Sequence, residues 1–258
     1  MKEPLISVII NCFNGEEYLR EAIDSVYSQT YKNWEIVFWD NASTDSSSSI
    51  AKSYDTRLNY FFGKSLTTLY EARNLALDKC QGEAIAFLDC DDIWKPNKLH
   101  EQVVFLNMGA KVVFGGYEVI NNKGELQGKV INKRSLSTNT LLRKNPISIG
   151  CVMVDSKLIK KFKFDSSYNI LGDFDLWVRL SLDFKFFSTG SLLELSRKHS
   201  KNTSLILQDQ LLDERRRFYL NFLKIANIVQ CYWIIYYILI SELKGLKFMF
   251  SKNNNKNL

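Results

Sequence analysis

The chain has 258 residues, 46% of them hydrophobic and only 5 of them Cys, enough to bury a substantial core and too apolar for a disordered segment or a small disulfide scaffold. Its net charge of +6 at pH 7 would suit an anionic partner, but residues 213–258 hold eight Lys/Arg against three Asp/Glu, which leaves residues 1–212 almost neutral. A near-neutral body offers no basic groove for a phosphate backbone, so no nucleic-acid partner is expected. Cys12, Cys80, Cys90, Cys151 and Cys231 show no C-x-x-C spacing, which argues against a thiolate metal site and for reduced thiols. The apolar stretch 5–10 has no small-residue cleavage site after it, so no signal peptide is expected and a cytoplasmic location is.

Residues 5–10 form a β-branched run without alternation, which predicts a buried strand leaving into the turn Asn11-Cys12-Phe13-Asn14-Gly15. Tyr18, Leu19, Ala22, Ile23 and Val26 then recur at helical spacing. Residues 34–39 predict a second buried strand, and the polar loop 40–45 ends in N-cap residues for a helix running through Ile50 and Tyr54. A strand over 58–62, a helix over 69–79 and a strand over 84–88 follow at similar spacing. Alternating strands and helices imply a mostly parallel sheet with helices on both faces and ligands at the strands' carboxyl ends. A helix from Pro96 to Leu106 closes this run, and beyond Asn107 the pattern becomes mixed, with a hairpin over 112–131, a strand over 148–154, a helix over 173–182 and short strands over 185–188 and 192–196.

The densest local signal is Asp89-Cys90-Asp91-Asp92, three carboxylates directly after an apolar strand. Carboxylates so crowded repel one another unless a cation sits among them, and hard oxygen ligands favour Mg²⁺ or Mn²⁺. The plain alternative is a solvated acidic turn, with Asp92 capping the helix that follows. A phosphotransferase using Asp89 as nucleophile would place this motif after the first strand and trail it with Thr, whereas here it follows the fourth strand and precedes Ile93-Trp94.

Ser7 to Leu19, Ser28-Gln29-Thr30-Tyr31, Asp40 to Asp45, Ala72-Arg73-Asn74 and Phe87 to Trp94, in that order, resemble the family 2 glycosyltransferases. Further on, residues 172–180 look like that family's E-D-x-D-L-W segment and residues 197–204 like its R-x-H-x-x-N-x-S segment. The resemblance implies a GT-A fold, an α/β Rossmann-like mixed sheet flanked by helices, over residues 1–212; the change of pattern near Asn107 divides it into a nucleotide-sugar half (1–107) and an acceptor half (108–212), and the basic, aromatic residues 213–258 are expected to form a helical tail. It implies inverting transfer of a sugar from a nucleoside diphosphate donor, UDP foremost, to a hydroxyl of a glycan or lipid-linked acceptor in bacterial-type surface polysaccharide or oligosaccharide assembly. A non-catalytic sugar-nucleotide-binding subunit is the alternative.

By the same resemblance Asn11 and Phe13 line the donor's base, Asp40 hydrogen-bonds it, Arg73 contacts the donor and Asp89 takes the ribose. Asp91 would hold Mn²⁺ or Mg²⁺ bridging the diphosphate, with His199 reaching that ion or the diphosphate, and Asp173 would be the general base. The chain departs from the family pattern at Asn11, where relatives carry Pro, at Asn41-Ala42 in place of Asp-Gly, and at Gly172 in place of Glu.

Residues 225–241 carry no charge, and Lys/Arg lie on both sides of them. A helix of that length reaches about 25 Å, short of the ~30 Å hydrocarbon core. With Tyr232, Trp233, Tyr236 and Tyr237 it is expected to lie in the interface of an anionic membrane, peripheral on the cytoplasmic face of the plasma membrane. Packing on the body or on a second copy of the chain, as a homodimer, is the competing expectation.

Overall fold

The structure, a computed structural model, describes residues 2–132, 135–143, 145–202, 206–224 and 234–236. Strands β1 (Ile6–Cys12), β2 (Trp34–Asp40), β3 (Leu58–Phe62) and β4 (Ala84–Asp89) pair in parallel in the order β3-β2-β1-β4. Every residue of β1 is buried, because helices cover both faces of this half, and that is why its sequence shows no alternation. Strand parity sorts the faces. Ile6, Val8 and Ile10 join Ala84, Ala86 and Leu88 under α1 (Leu19–Tyr27) and α4 (Lys98–Asn107), whereas Ile9 joins Ile85 and Phe87 under α3 (Leu69–Leu77) and α7 (Gly172–Ser181). Each such fully buried Ile, Val or Phe contributes roughly 1.5–3 kcal/mol relative to exposure.

Beyond β4 the sheet continues through β8 (Met153–Asp155), β6 (Val112–Asn121), β9 (Phe186–Lys198) and β5 (Ile93–Trp94), with β7 (Leu126–Val130) forming the expected hairpin on β6. β8 is antiparallel to both of its neighbours, while β6 and β9 run parallel. The sheet is thus mixed, as expected, and the ladder is mostly parallel. The expected strand over 148–154 is shortened to β8, because residues 149–151 coil into a 3-10 turn in which a Cβ on Gly150 would meet the Glu194 carboxyl at 2.2 Å. The two short strands expected over 185–196 are one strand, since a bulge at Thr189-Gly190-Ser191, with Gly190 at φ 79°, carries the pairing with β6 across the polar interruption.

Helices α2 (Ser47–Lys52), α5 (Thr138–Arg143) and α6 (Ser156–Phe162) are short, and α8 (Gln208–Phe222) is the last helix described at length. The division placed at 212/213 falls inside α8, whose Glu214, Phe218, Tyr219 and Phe222 are buried, the three aromatics joining the core formed with α7. Ile234 is buried in the same core. Most of the uncharged tail, and with it the expected interfacial helix, lies outside the described residues. No helix among the described residues is long and apolar enough to cross a membrane.

Candidate active site

The pairing of β5 with β9 brings the acidic loop after β4 against the segment after β9, at the carboxyl end of the parallel strands. A cleft of about 580 Å³ opens there, and Asn11, Phe13, Arg73, Asp89, Asp91, Asp173 and His199 all line it. Seven of the eight residues singled out from the sequence therefore meet in one place. Asp40 does not line it. It is fully buried at the end of β2, where its oxygens accept the Ser43 N–H (2.8 Å) and the Tyr60 hydroxyl (2.7 Å). These bonds make Asp40 the fastener of the 41–45 loop, and it is the neighbouring Asn41 that reaches the cleft.

Asn11 and Asp89 are direct partners in the β1–β4 register, so both face α3. Arg73, only 3% exposed, extends from α3 and donates from Nη2 to Asp89 Oδ1 at 2.5 Å. Its guanidinium lies 5.4 Å from the Tyr70 ring centre and 5.8 Å from that of Phe164. Phe13 is 46% exposed on the β1 loop, a large aromatic face left in solvent at the mouth of a cleft. The same loop is tied to its neighbour by Asn14, whose Oδ1 accepts the Thr44 N–H (2.8 Å), and Ala42 adopts φ 65°, the left-handed conformation that favours Gly.

Asp91 Oδ2 meets His199 Nε2 at 2.8 Å and Asn202 Nδ2 at 3.0 Å. The Lys201 N–H donates to His199 Nδ1 (3.2 Å), so the neutral ring carries its proton on Nε2 and donates it to Asp91. Burial, and then the charge of Asp89, push the Asp91 carboxyl above its ordinary range, with His199 working the other way. Asp92 does not cap α4, whose N-cap is Asn97. It turns inward, accepts the Arg197 N–H at 2.6 Å, and pairs with the buried Glu194. Burial raises both of these carboxyls, and the charge of Glu194 raises Asp92 further. Arg197 in turn donates from Nε to the Asp91 carbonyl (3.0 Å), strapping the acidic loop to β9.

Among the described residues no group of three or more His, Cys, Asp or Glu side chains gathers to hold a metal ion. With Asp89 engaged by Arg73, what the cleft offers an ion is the Asp91 carboxylate with the His199 imidazole beside it. That donor set fits Mg²⁺ or Mn²⁺, ions that keep several waters and take one or two protein ligands together with substrate phosphates. It does not fit a resident ion enclosed by protein.

Asp173 stands in the first turn of α7 and lines the same cleft as Arg73. Its Oδ1 accepts the Phe174 N–H (2.7 Å) and lies 3.3 Å from the Tyr70 hydroxyl, which donates to the Ile170 carbonyl at 2.7 Å. Burial raises the Asp173 carboxyl while Arg73 pulls it down, leaving it above the ordinary carboxylate range. A carboxylate tuned upward in a cleft is suited to proton abstraction near neutrality. Asp175, two residues on, is buried and paired with Arg179 at 2.7 Å. At Gly172 a Cβ would lie 2.6–2.7 Å from Tyr70 ring atoms, so the aromatic ring fills the space beside this position.

Sequence reasoning missed Tyr70 and Tyr18, both of which line the cleft. Tyr70 and Arg73 are three residues apart on α3 and share one face, a spacing that could have paired them. Tyr18 lies with its ring 5.3 Å from that of His199 and under the Arg197 guanidinium at 4.4 Å, a contact no local pattern announces.

A family model described as Glycosyl transferase family 2 matches residues 7–166. The UDP-Glc:alpha-D-GlcNAc-diphosphoundecaprenol beta-1,3-glucosyltransferase WfgD of Escherichia coli is 33% identical over 185 residues, which span 71% of this chain and 72% of WfgD. The structure of S. aureus TarS 1-349 in complex with UDP-GlcNAc is similar at a TM-score of 0.72 and 17% identity, covering 93% of this chain and 72% of that one. The mannosyltransferase PcManGT of Pyrobaculum calidifontis, in complex with GDP-Man and Mn2+, is similar at a TM-score of 0.67 and 16% identity, covering 94% of this chain and 70% of that one. At such identities the two structures speak for the fold alone, and the fold is the expected GT-A arrangement. With the family model matched over more than half of its length and a bacterial relative one-third identical to it, the chain belongs to the family 2 glycosyltransferases.

Proposed function

We propose that this glycosyltransferase moves a sugar from a UDP-linked donor, with inversion, to a hydroxyl of a glycan or lipid-linked acceptor in the assembly of a bacterial surface polysaccharide or oligosaccharide. The observation that carries the reading is one cleft lined by Asp89, Asp91, Arg73 and Asp173, in which Arg73 pairs with Asp89 while its charge also acts on Asp173. The name of WfgD, a glucosyltransferase acting on a diphosphoundecaprenol-linked sugar, supports the acceptor class, and the UDP-GlcNAc complex of TarS supports the donor class.

In this reading Phe13 stacks on the nucleobase, the Asn11 amide lies at its edge, and Asp40 acts from behind by fixing the loop. Arg73 and Asp89 receive the ribose and the adjoining phosphate oxygens. Asp91 would hold a Mg²⁺ or Mn²⁺ ion beside the diphosphate, and His199 would reach that ion or the diphosphate itself. When bound, that ion neutralises the charge that develops on the departing nucleoside diphosphate. Asp173 takes the proton of the acceptor hydroxyl as its oxygen bonds to the anomeric carbon and the bond from that carbon to the phosphate oxygen breaks. Attack from the face opposite the leaving group gives inversion. The basic, aromatic tail docks the enzyme on an anionic membrane surface, where a lipid-linked acceptor is presented.

The test is nucleoside diphosphate release from a panel of UDP- and GDP-sugars, with Mn²⁺ or Mg²⁺ and with a chelator. Release is expected from a UDP-sugar with metal only, and its persistence under the chelator would remove the metal from the reading. Asp91→Ala should lose both turnover and metal-dependent UDP binding. Asp173→Asn should bind UDP as the native chain does and turn over about 10²-fold or more slower; near-native turnover would remove Asp173 as the base.

A further inference from the structure

Helix α8 grips the entrance of α7 through one polar stripe. Gln210, Glu214 and Arg217 recur at i, i+4 and i+7, which places them on one face of the helix. All three hold the same loop. Asn169 Nδ2 donates to Gln210 Oε1 (3.2 Å), and Arg217 Nη2 donates to the Ser167 carbonyl (2.8 Å). Between them Glu214, 6% exposed, accepts three successive backbone N–H groups, from Asn169 (2.5 Å), Ile170 (3.0 Å) and Leu171 (3.0 Å).

Those three donors belong to the residues that lead into α7, ahead of its own i→i−4 bonds, so each needs a partner from elsewhere in the fold. The N-cap residue of α7, Leu171, offers no side-chain acceptor, and the backbone leading to it is held by a carboxylate from another helix. The loop it holds is part of the cleft. Asn169 and Ile170 line it, and Asp173 follows two residues after the last bonded N–H. From the opposite side the Tyr70 hydroxyl fastens the Ile170 carbonyl (2.7 Å), and Phe218, one turn beyond Glu214, packs its ring 4.6 Å from that of Phe174. The backbone ahead of Asp173 is therefore bonded from both sides, by α3 through a carbonyl and by α8 through its N–H groups.

We propose that Glu214 is a positioning residue of the transfer reaction, a carboxylate clamp that fixes residues 169–171 and so sets where the Asp173 carboxylate stands in the cleft. The proposal rests on the reading of Asp173 as the base. Glu214 touches neither donor nor acceptor. Its removal leaves the nucleotide side, built on β1, α3 and the acidic loop, untouched, and loosens only the side from which the acceptor proton is taken. A displacement of about 1 Å in a reacting group is enough to cost up to 10²-fold in rate.

Glu214→Ala and Glu214→Gln in the full chain test this, with UDP affinity measured by calorimetry, turnover measured as UDP release from a turned-over UDP-sugar, and amide hydrogen exchange followed over residues 165–174. Glu214→Ala is expected to lower kcat about 10- to 100-fold, to leave UDP affinity within about twofold, and to speed exchange at 169–171. Glu214→Gln, which keeps one acceptor oxygen, is expected to fall between the two. Turnover of Glu214→Ala within twofold of the native chain overturns the proposal, and so does a parallel fall of kcat and UDP affinity, which marks general loosening. If the Ala variant does not fold, the Gln variant decides: a lower kcat at unchanged UDP affinity upholds the clamp, and an unchanged kcat overturns it. Asp173→Asn, run alongside, separates the two readings. Native turnover there removes the base while the exchange at 169–171 still reports the clamp; a dead Asp173→Asn beside a fully active Glu214→Ala removes the positioning role alone.

Discussion

Substituting Gly172 by Ala tests how tightly α7 is seated against Tyr70. The added Cβ would stand 2.6–2.7 Å from three Tyr70 ring atoms, about 1 Å inside the distance at which carbon atoms attract one another. The ring cannot swing aside. It is 2% exposed, stacked 5.5 Å from the Phe164 ring, and held at its hydroxyl by the Ile170 carbonyl. Either the ring or the first turn of α7 must therefore move, and forcing one extra carbon into such a contact costs about 1–3 kcal/mol. For a chain of this size that lowers Tm by about 2–12 °C. Because Asp173 is the next residue, turnover should fall along with stability. Thermal melts of the full chain read the first effect and nucleoside diphosphate release the second. Tyr70→Ala by itself opens a cavity and is destabilising, but in the double variant the clash vanishes, so the two changes together should cost about 1–3 kcal/mol less than their sum. Native Tm and native turnover in Gly172→Ala, or strict additivity in the double variant, would refute the reasoning.

Two further outcomes follow from local geometry. Folded Asp173 holds its proton more tightly than an ordinary carboxyl with a pKa of 3.8, so the stability it contributes is complete in acid and is lost as pH rises through its raised folded pKa. Asn escapes that loss, so the Tm of Asp173→Asn should gain on the native chain as pH rises from the ordinary carboxyl range toward 8; a flat or shrinking difference contradicts the raised pKa. Ala42, at φ 65°, carries the roughly 1–2 kcal/mol that a left-handed conformation costs an L-residue. Allowing for the extra freedom of Gly in the unfolded chain, Ala42→Gly should gain about 0.5–1 kcal/mol in denaturant unfolding, and a loss of stability there would contradict the assigned backbone.

What could be read from the sequence is what local pattern controls. The unbroken apolar runs of β1, β2 and β4 announce strands covered on both faces, and the strand parity that follows explains why Asn11 and Asp89 face α3 together. The carboxylates after β4 are legible because no apolar neighbour masks them. What was not legible depends on contacts between distant segments. Asp40 has the same sequence context whether it faces a ligand or a loop, and only Ser43 and Tyr60 decide the matter. The bulge in β9 reads as a break because Thr189-Gly190-Ser191 is polar, yet β6 continues beside it. Asp92 and Asp175 look like surface acids and turn inward because the Arg197 N–H and the Arg179 guanidinium await them. The face of α8 that carries Glu214 and Arg217 reads as solvated charge, since a polar stripe has the same spacing whether water or a neighbouring loop satisfies it.

The inward face of α8 changes where the chain can be cut. Removing residues 213–258, the natural way to ask whether the basic tail recruits the enzyme to a membrane, would also strip Phe218, Tyr219 and Phe222 from the core and release the 167–171 loop. A protein trimmed there would expose apolar surface and bind vesicles for reasons unrelated to the tail. Ile234, seated in the same core, carries the objection past the end of the helix. Recruitment is better probed by reversing the charges of Lys244, Lys247 and Lys252 in the intact chain, which alters attraction to an anionic surface while the buried aromatic cluster stays in place.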